Sequence, residues 1–552
     1  MSIPVFDLEC LKWTQPIAVG YIIKDEYHEV LKTSDDVDVV WEFLKEIQPY
    51  KGTKFFAHNA AGYDNRFLLD TLTKHGQKVE FKAGLGGLKW VEAGISFEDS
   101  YLVLGRGLAV CCEAFDIPRK LEWNHEETTE VWEMGSKLDT FRAYLKRDVT
   151  SLSMVLEAFS KQLLDLFGIV PSTTMSLTAV KAFNKGFFPV DQIYTNEEFE
   201  TFIRQATYGG RNEVYKRYGE NIYFYDVKRM FMSCYDTPIP IGKMGWCRPN
   251  IDKGVLAEAK VHIPDSMHIG PLPYRDPNRQ NHLIYPVGDI KGWWDMVLLR
   301  NAVKLGCDVT LLRQLDGAEA PILDDFGKMV GKLGDLSNAE MGKLWKIFGL
   351  RLTGKFGQHR LRTEIRHISD IEDQTGWYPI DASEIYQETT TYQTGNRSPY
   401  IKPAVNMRIR SEASVRHLNL LLKAKDPYYS DTDSIYTTVP QEVGTIPGTL
   451  RQIDFAQKGW FIGTKFYGYV NKAGILKQKT AGFRDFHLTE EDFNKLLVGK
   501  DVAGTFVTMG NWREILKGKG VERLNHSHTF SEKPLNNRIM DGIKTRPIKL
   551  PE

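Results

Sequence analysis

The stretch Tyr428-Tyr429-Ser430-Asp431-Thr432-Asp433-Ser434-Ile435-Tyr436-Thr437-Thr438-Val439 decides the reading of this chain. Aromatic and β-branched residues flank a short polar turn, which reads as strand, tight turn, strand. Such a hairpin carries Asp431 and Asp433 at its tip. Two anions so close raise each other's pKa unless a cation holds them. The cation suited to oxygen ligands is Mg²⁺ or Mn²⁺. Asp-x-Asp turns are also common on solvated surfaces, so the weight falls on what accompanies this one.

The composition sets wide bounds. A length of 552 residues suggests several domains, and 42% apolar with 12% aromatic residues can build large cores. With 71 basic and 71 acidic residues the net charge is zero, so any nucleic-acid channel must be a local feature. Residues 511–552 are locally basic, with nine Lys/Arg against five Asp/Glu. Cys10, Cys111, Cys112, Cys234, Cys247 and Cys307 form no CxxC pair. They read as reduced thiols in a cytosolic protein. Residues 1–7 lack the basic and apolar regions of a signal peptide, and no apolar run suffices to span a bilayer. No internal repeat or low-complexity segment stands out.

The first block, about residues 1–170, holds a second acidic group. Asp7 and Glu9 follow the apolar run Ile3–Phe6, and alternation along a strand places both on one face. Phe55-Phe56-Ala57-His58-Asn59 is another strand-like run, and Tyr63-Asp64 precede a helical pattern that begins at Leu68. Tyr144 and Asp148 stand four apart in a helix spaced by Leu145, Val149, Leu152 and Leu156, so they share a face. Held together, four carboxylates and a Tyr could bind two metal ions for phosphodiester hydrolysis. Scattered, they would be separate surface acids.

Asp7-x-Glu9, Asn59-x-x-x-Tyr63-Asp64 and Tyr144-x-x-x-Asp148 resemble the three exonuclease motifs of family B DNA polymerases. That resemblance implies that Asp7, Glu9, Asp64 and Asp148 bind two metals and that Tyr144 orients the attacking water. It also implies that His58, Asn59 and Ser100 touch a frayed single strand and that Lys120 assists catalysis.

The polymerase motifs follow in the family's order. Tyr225-Asp226-Val227 with Arg229-Met230-Phe231-Met232 resembles motif A, and Asp431-Thr432-Asp433 resembles motif C. By resemblance Asp226, Asp433 and the Val227 carbonyl hold the metals, Asp431 lies beside them, and Phe231 is a steric gate against a 2′-OH. The segment Ala339 to Phe356 resembles the motif B finger helix, with Lys343, Lys346 and Gly354 near the incoming triphosphate and Lys332 a further candidate. Lys465-Phe466-Tyr467 resembles the element that holds the primer terminus, and Lys479-Thr480-Ala481-Gly482 a further palm strand. Tyr208-Gly209-Gly210 resembles the DNA-contacting linker of the protein-primed branch. Long gaps between Asp226 and Lys346, and between Gly357 and the helical pattern Ala404–Leu422, match that branch's two inserts.

The expected fold is therefore α/β and multidomain. It has an RNase H-like exonuclease domain (1–170), palm (171–237 and 398–505), fingers (326–357), thumb (506–552), and insertions at 238–325 and 358–397. The second insertion mixes Arg360, Arg362, Arg366 and Arg397 with Trp377, Tyr378, Tyr386 and Tyr392, which suits a β-rich flap over nucleic acid.

The expected function is DNA-directed DNA synthesis with 3′→5′ proofreading, using two Mg²⁺ or Mn²⁺ ions per site. The expected partners are template-primer DNA, deoxynucleoside triphosphates and a terminal priming protein. A monomer in the cytoplasm, that of the host for a virus, is expected, without membrane. No priming protein is expected ahead of the first motif at residue 7. Three other readings stay open: a polymerase that extends ordinary nucleic-acid primers, a non-catalytic DNA-binding scaffold, and a nuclease alone. Motif B departs from the family at Leu350-Arg351-Leu352-Thr353-Gly354, motif A at Arg229 to Met232, and the linker at Thr207. The proposed metal ligands are all kept.

Overall fold

The computed structural model describes residues 2–82, 86–359, 398–483, 486–510, 512, 515–531, 535 and 537–550. It also describes the backbone of strands Leu361–His367, Trp377–Pro379 and Ile385–Thr391.

The N-terminal block is built on a seven-stranded mixed sheet. Strand Val5–Leu11 pairs antiparallel with Gln15–Ile23 and parallel with Lys54–Ala57, which runs parallel to Ile95–Asp99. Alternation buries Phe6 and Leu8 on one side with Phe43, Phe55 and Phe97, leaving Asp7 and Glu9 for the other. The 30-residue helix Leu138–Phe167 crosses that other side. It can approach because Gly20 stands opposite Asp7 in the register, and a Cβ at Gly20 would lie 2.9 Å from Leu145 Cγ.

The palm is an antiparallel seven-stranded sheet. Its central strand Tyr218–Val227 is flanked by Leu450–Gly463 and by the hairpin Pro427–Asp431 with Ser434–Thr437. Aromatic residues flanking the hairpin fill its far face, where Phe224 and Tyr436 stack with centroids 3.9 Å apart. Helices Met175–Gly186, Asp324–Leu336, Ala339–Phe356 and Pro403–Lys423 share one core with the palm's other face.

Residues within 238–325 form their own sheet, in which Leu256–Ile263 pairs with both Val287–Asp295 and Asp308–Asp316. Buried Arg408 of the palm helix clamps this unit through Asp295 Oδ2 at 2.9 Å and Glu319 Oε1 at 2.6 Å. The second insertion contains three antiparallel strands in the order Leu361–His367, Ile385–Thr391, Trp377–Pro379. The side chains singled out there, Arg360 to Arg397, lie outside the described residues.

The C-terminal part differs from a single thumb over 506–552. Strands Val502–Met509 and Arg523–Phe530 form a hairpin whose connection, with Ile515 and Val521, enters the N-terminal core. Arg66 Nη1 donates to Gly510 O at 2.8 Å, and Phe81 meets Trp512 at 5.4 Å. The chain beyond Phe530 then returns to the palm. Arg538, almost wholly buried, bonds Glu213 Oε1 at 3.2 Å, and Lys549–Leu550 pairs with Val287–Gly288. An isolated buried charge is costly unless paired, and this pairing pulls the tail away from the hairpin. No helix among the described residues is long and apolar enough to cross a membrane.

Candidate active sites

The first site lies where the N-terminal sheet meets the long helix. Oxygens of Asp7, Glu9 and Asp148 all fall within 4.8 Å of one another, the only such trio among the described residues. Asp64 approaches from the start of helix Asp64–Lys74, and its Oδ1 accepts from Leu8 N at 3.2 Å. Both Asp148 oxygens are buried without a hydrogen bond, although Lys120 Nζ forms a close ion pair with Oδ2. Burial, then mutual repulsion, pushes Asp7 well above the usual carboxylate range. Burial brings Glu9 and Asp64 to about 7. Tyr144 is held in its neutral form by burial and donates to Glu9. These acids line a cavity of about 410 Å³, together with His58, Asn59, Lys120, Tyr144 and, from the C-terminal hairpin, Arg523.

Two single-strand contacts expected near this cavity separate. Asn59 is exposed on the rim at φ +64°. Ser100 is fully buried, so it orients rather than touches: its Oγ lies 3.0 Å from His58 Nδ1 and donates to Ala57 O at 3.1 Å. Burial, aided by Lys120, holds His58 near 4 and therefore uncharged.

The second site lies at the end of the palm sheet. Asp431 and Ser434 close the hairpin, Ser434 pairs with Asp226, and Thr432 takes φ +59°. The loop is pinned by Thr432 N to Arg211 O at 2.6 Å and by Val227 N to Asp433 O at 2.8 Å. Burial, then repulsion by Asp226, raises Asp433 to about 6, and Lys346 opposes this shift. Lys346 of the finger helix therefore faces the palm acids. Its neighbour Lys343 is turned away to a close pair with Glu340, because three residues on the same helix bring those two together. Gly354 is exposed with open space where a side chain would stand, and Lys332 is also exposed.

Phe231, half-buried, lines a small cleft with Gly209, Gly210, His417 and Thr432. Gly210 is dictated by closeness, since a Cβ there would lie 2.7 Å from the Thr432 side chain. Gly209 is exposed and free of such crowding. Tyr208 departs from the DNA-contact expectation. It is buried in the insertion, its OH donates to Trp293 O at 2.9 Å, and Arg275 covers its ring at 4.6 Å. Lys465 is exposed at φ +57°, with its N–H bonded to Tyr429 OH at 2.9 Å. Tyr467 OH meets Tyr436 OH at 3.2 Å.

Two cations beside the palm acids escape a reading by motif. Arg451 bonds Asp226 Oδ2 at 2.6 Å, and Lys479 Nζ lies 3.3 Å from Asp431 Oδ2. Their partners are far off in sequence, so only strand register reveals them. Lys479 falls within a motif recognised as a strand, and its charge was the available signal.

A family model described as DNA polymerase type B, organellar and viral, matches residues 119–411. The chain belongs to that family. This type B polymerase chain is 26% identical over 375 residues to a protein of Ascobolus immersus named "Probable DNA polymerase", covering 55% of the chain and 31% of that relative. A protein of the same name in Neurospora intermedia is 21% identical over 515 residues, covering 76% and 52%. The type B chain thus spans about a third to a half of the length of these curated relatives. It shares the fold of Phi29 DNA polymerase. The complex of that protein with primer-template DNA and incoming nucleotides aligns with a TM-score of 0.74 at 15% identity, over 96% of this chain and 99% of the other. Its complex with single-stranded DNA gives 0.72 at 15% identity, over 96% and 100%.

Proposed function

We propose that this chain is a DNA-directed DNA polymerase with 3′→5′ proofreading, started from a hydroxyl on a priming protein and replicating a viral or linear plasmid genome. One observation carries the reading: the chain holds two separate carboxylate groups, Asp7/Glu9/Asp64/Asp148 on a sheet face under a long helix and Asp226/Asp431/Asp433 at the ends of strands in the second sheet. A lone nuclease has no use for the second, and a DNA-binding scaffold has use for neither. Family membership, and the substrates named with the Phi29 complex, support DNA and deoxynucleoside triphosphates as ligands.

Both groups fit hard divalent cations. The buried Asp148 Oδ1, which has no hydrogen-bond partner, and carboxylates pushed toward protonation by burial and then by one another suit a site that takes Mg²⁺ or Mn²⁺. Asp7, Glu9, Asp64 and Asp148 would hold two ions at the first site. Asp226, Asp433 and the Val227 carbonyl would hold two at the second, beside Asp431. Bound there, such ions supply Lewis-acid activation of the attacking oxygen and charge stabilisation of the leaving one.

The chain's own groups do the rest. Lys346, a compact point charge, draws the triphosphate toward Asp433, with Lys343 recruited only if it leaves Glu340. Phe231 excludes a 2′-OH, Lys465 and Tyr467 hold the primer terminus, and Gly209 with Gly210 lets DNA pass close to the backbone. At the first site Tyr144 orients water, Lys120 steadies Asp148, and His58 with Asn59 guides the strand end. The enzyme acts as a monomer in the cytoplasm, the host's if the genome is viral.

The test uses purified chain, Mg²⁺ and two substrates, a primed template and a single strand. Extension and degradation are expected from one protein, and loss of both in every preparation sinks the reading. Protein priming is tested separately. A partner whose Ser, Thr or Tyr accepts the first nucleotide supports it, and extension of nucleic-acid primers alone refutes it.

A further inference from the structure

The acidic cavity of the N-terminal block has an aromatic rim to which the nuclease reading gives no task. Strand Val5–Leu11 turns into Gln15–Ile23 through Lys12 and Trp13, at φ +50° and +68°, with Thr14 N donating to Leu11 O at 3.2 Å. The next hairpin repeats those angles at Lys24 and Asp25. Turns of this kind favour Asn, Asp or Gly, because a larger side chain crowds the backbone when φ is positive. Asp25 obeys the rule, while Lys12, Lys24 and Trp13 depart from it, and Trp13 is the bulkiest of the three. Burial does not compensate, since Trp13 remains 47% exposed.

Its surroundings suggest what does. Trp13 lines the same cavity as Asp7, Glu9 and Asp148. Its ring stands edge-on to Tyr63, with centroids 6.3 Å apart at 81°, and 5.3 Å from His125 at 35°. Tyr63 OH also reaches Trp13 O at 3.5 Å. A phosphate backbone entering this cavity meets carboxylates, so charge alone grips it poorly. Stacking on an aromatic ring grips any base through its π face and tolerates every sequence.

We infer that Trp13, backed by Tyr63 and His125, is a stacking platform for a base near the 3′ end of a single strand entering the cavity. It is a positioning residue: it holds the strand so that the terminal phosphodiester reaches the acids. The inference rests on the reading of this cavity as an exonuclease site.

The test compares the full chain with Trp13→Gly, which suits the positive φ and so keeps the fold, and with Trp13→Phe. For degradation of a single-stranded oligonucleotide, Trp13→Gly should raise KM roughly tenfold with kcat nearly unchanged, and Trp13→Phe should restore most of the loss. Extension of a matched primer should not change. In an Asp7→Ala, Glu9→Ala background, 2-aminopurine near the 3′ end should be quenched on binding, and Trp13→Gly should remove that quenching. An unchanged KM, or quenching that survives Trp13→Gly, overturns the platform. A parent chain that degrades no single strand refutes the exonuclease reading instead, and the quenching result still decides for or against stacking.

Discussion

Asp226 Oδ2 accepts from Arg451 at two points, Nη2 at 2.6 Å and Nε at 3.2 Å, across one rung of the palm sheet. A cation bound by Asp226 must displace or share this guanidinium. Arg451→Ala should therefore lower the Mg²⁺ concentration that half-saturates nucleotide addition. Asp226→Ala and Asp433→Ala should abolish addition while degradation of single strands survives. Primer extension by either Asp variant would undo the assignment.

The first site predicts a pH signature. Glu9 and Asp64 titrate near 7 in the metal-free fold, and Asp7 is raised as well. Groups with raised pKa bind protons more tightly folded than unfolded. Their contribution is full below about pH 4, the unfolded range, and is lost as pH rises through about 7. Melting in EDTA should thus show Tm falling over that window, and Mg²⁺ should restore Tm most strongly above it. Asp7→Ala with Glu9→Ala should flatten the profile, cut exonuclease activity by orders of magnitude and leave polymerisation intact. A parental trimming rate at a mismatched 3′ end would contradict this.

Phe231→Ala should admit ribonucleotides. The ring shares its cleft with Gly210 and Thr432, next to Asp431 and Asp433, so the space it fills adjoins the palm acids. The measurement is the ratio of ribo- to deoxynucleotide incorporation opposite one template base. Tyr208 lines the same cleft with its OH held by Trp293 O, so an unchanged ratio would move the search to that ring.

Gly20→Val should loosen the first site at a distance. The added carbons meet Leu145 and Val149, and overpacking of this kind costs about 1–3 kcal/mol. The helix would shift Tyr144 and Asp148 away from Asp7. Exonuclease activity should drop while primer extension persists, and a second change, Leu145→Ala, should recover part of the loss. Independent, additive effects of the two changes would argue against this contact.

Replacing residues 361–397 with a short Gly/Ser linker should leave single-nucleotide addition nearly normal. Products from one binding event should shorten, and synthesis through duplex ahead of the primer should stop. Product length on a primed circle under a competitor trap is the readout. A variant that matches the parent in both would deprive this insertion of its role.

Local rules carried much of this into the sequence. Alternation put Asp7 and Glu9 on one face, helical spacing put Tyr144 above Asp148, and the polar turn between aromatic strands gave the Asp431–Asp433 tip. What stayed hidden depends on distant partners. Arg451 meets Asp226, and Glu213 meets Arg538, only because strands far apart in the chain align. Tyr208 and Ser100 carry polar groups that a motif assigns to DNA, yet burial by Trp293 and Ala57 gives those groups to the protein. Trp13 was invisible because its oddity is a backbone angle.

The entry of Ile515 and Val521 into the N-terminal core sets an order of events during synthesis. At roughly 5–20 residues per second, a ribosome needs on the order of tens of seconds to reach them after finishing the sheet they complete. Through that interval the surface around Phe81, Arg66 and Asp70 lies uncovered. The nascent chain must either tolerate a half-closed domain or shelter it on a chaperone. Strengthening that early domain away from the surface that Ile515 and Val521 later cover should raise the yield of soluble protein without touching either set of acids.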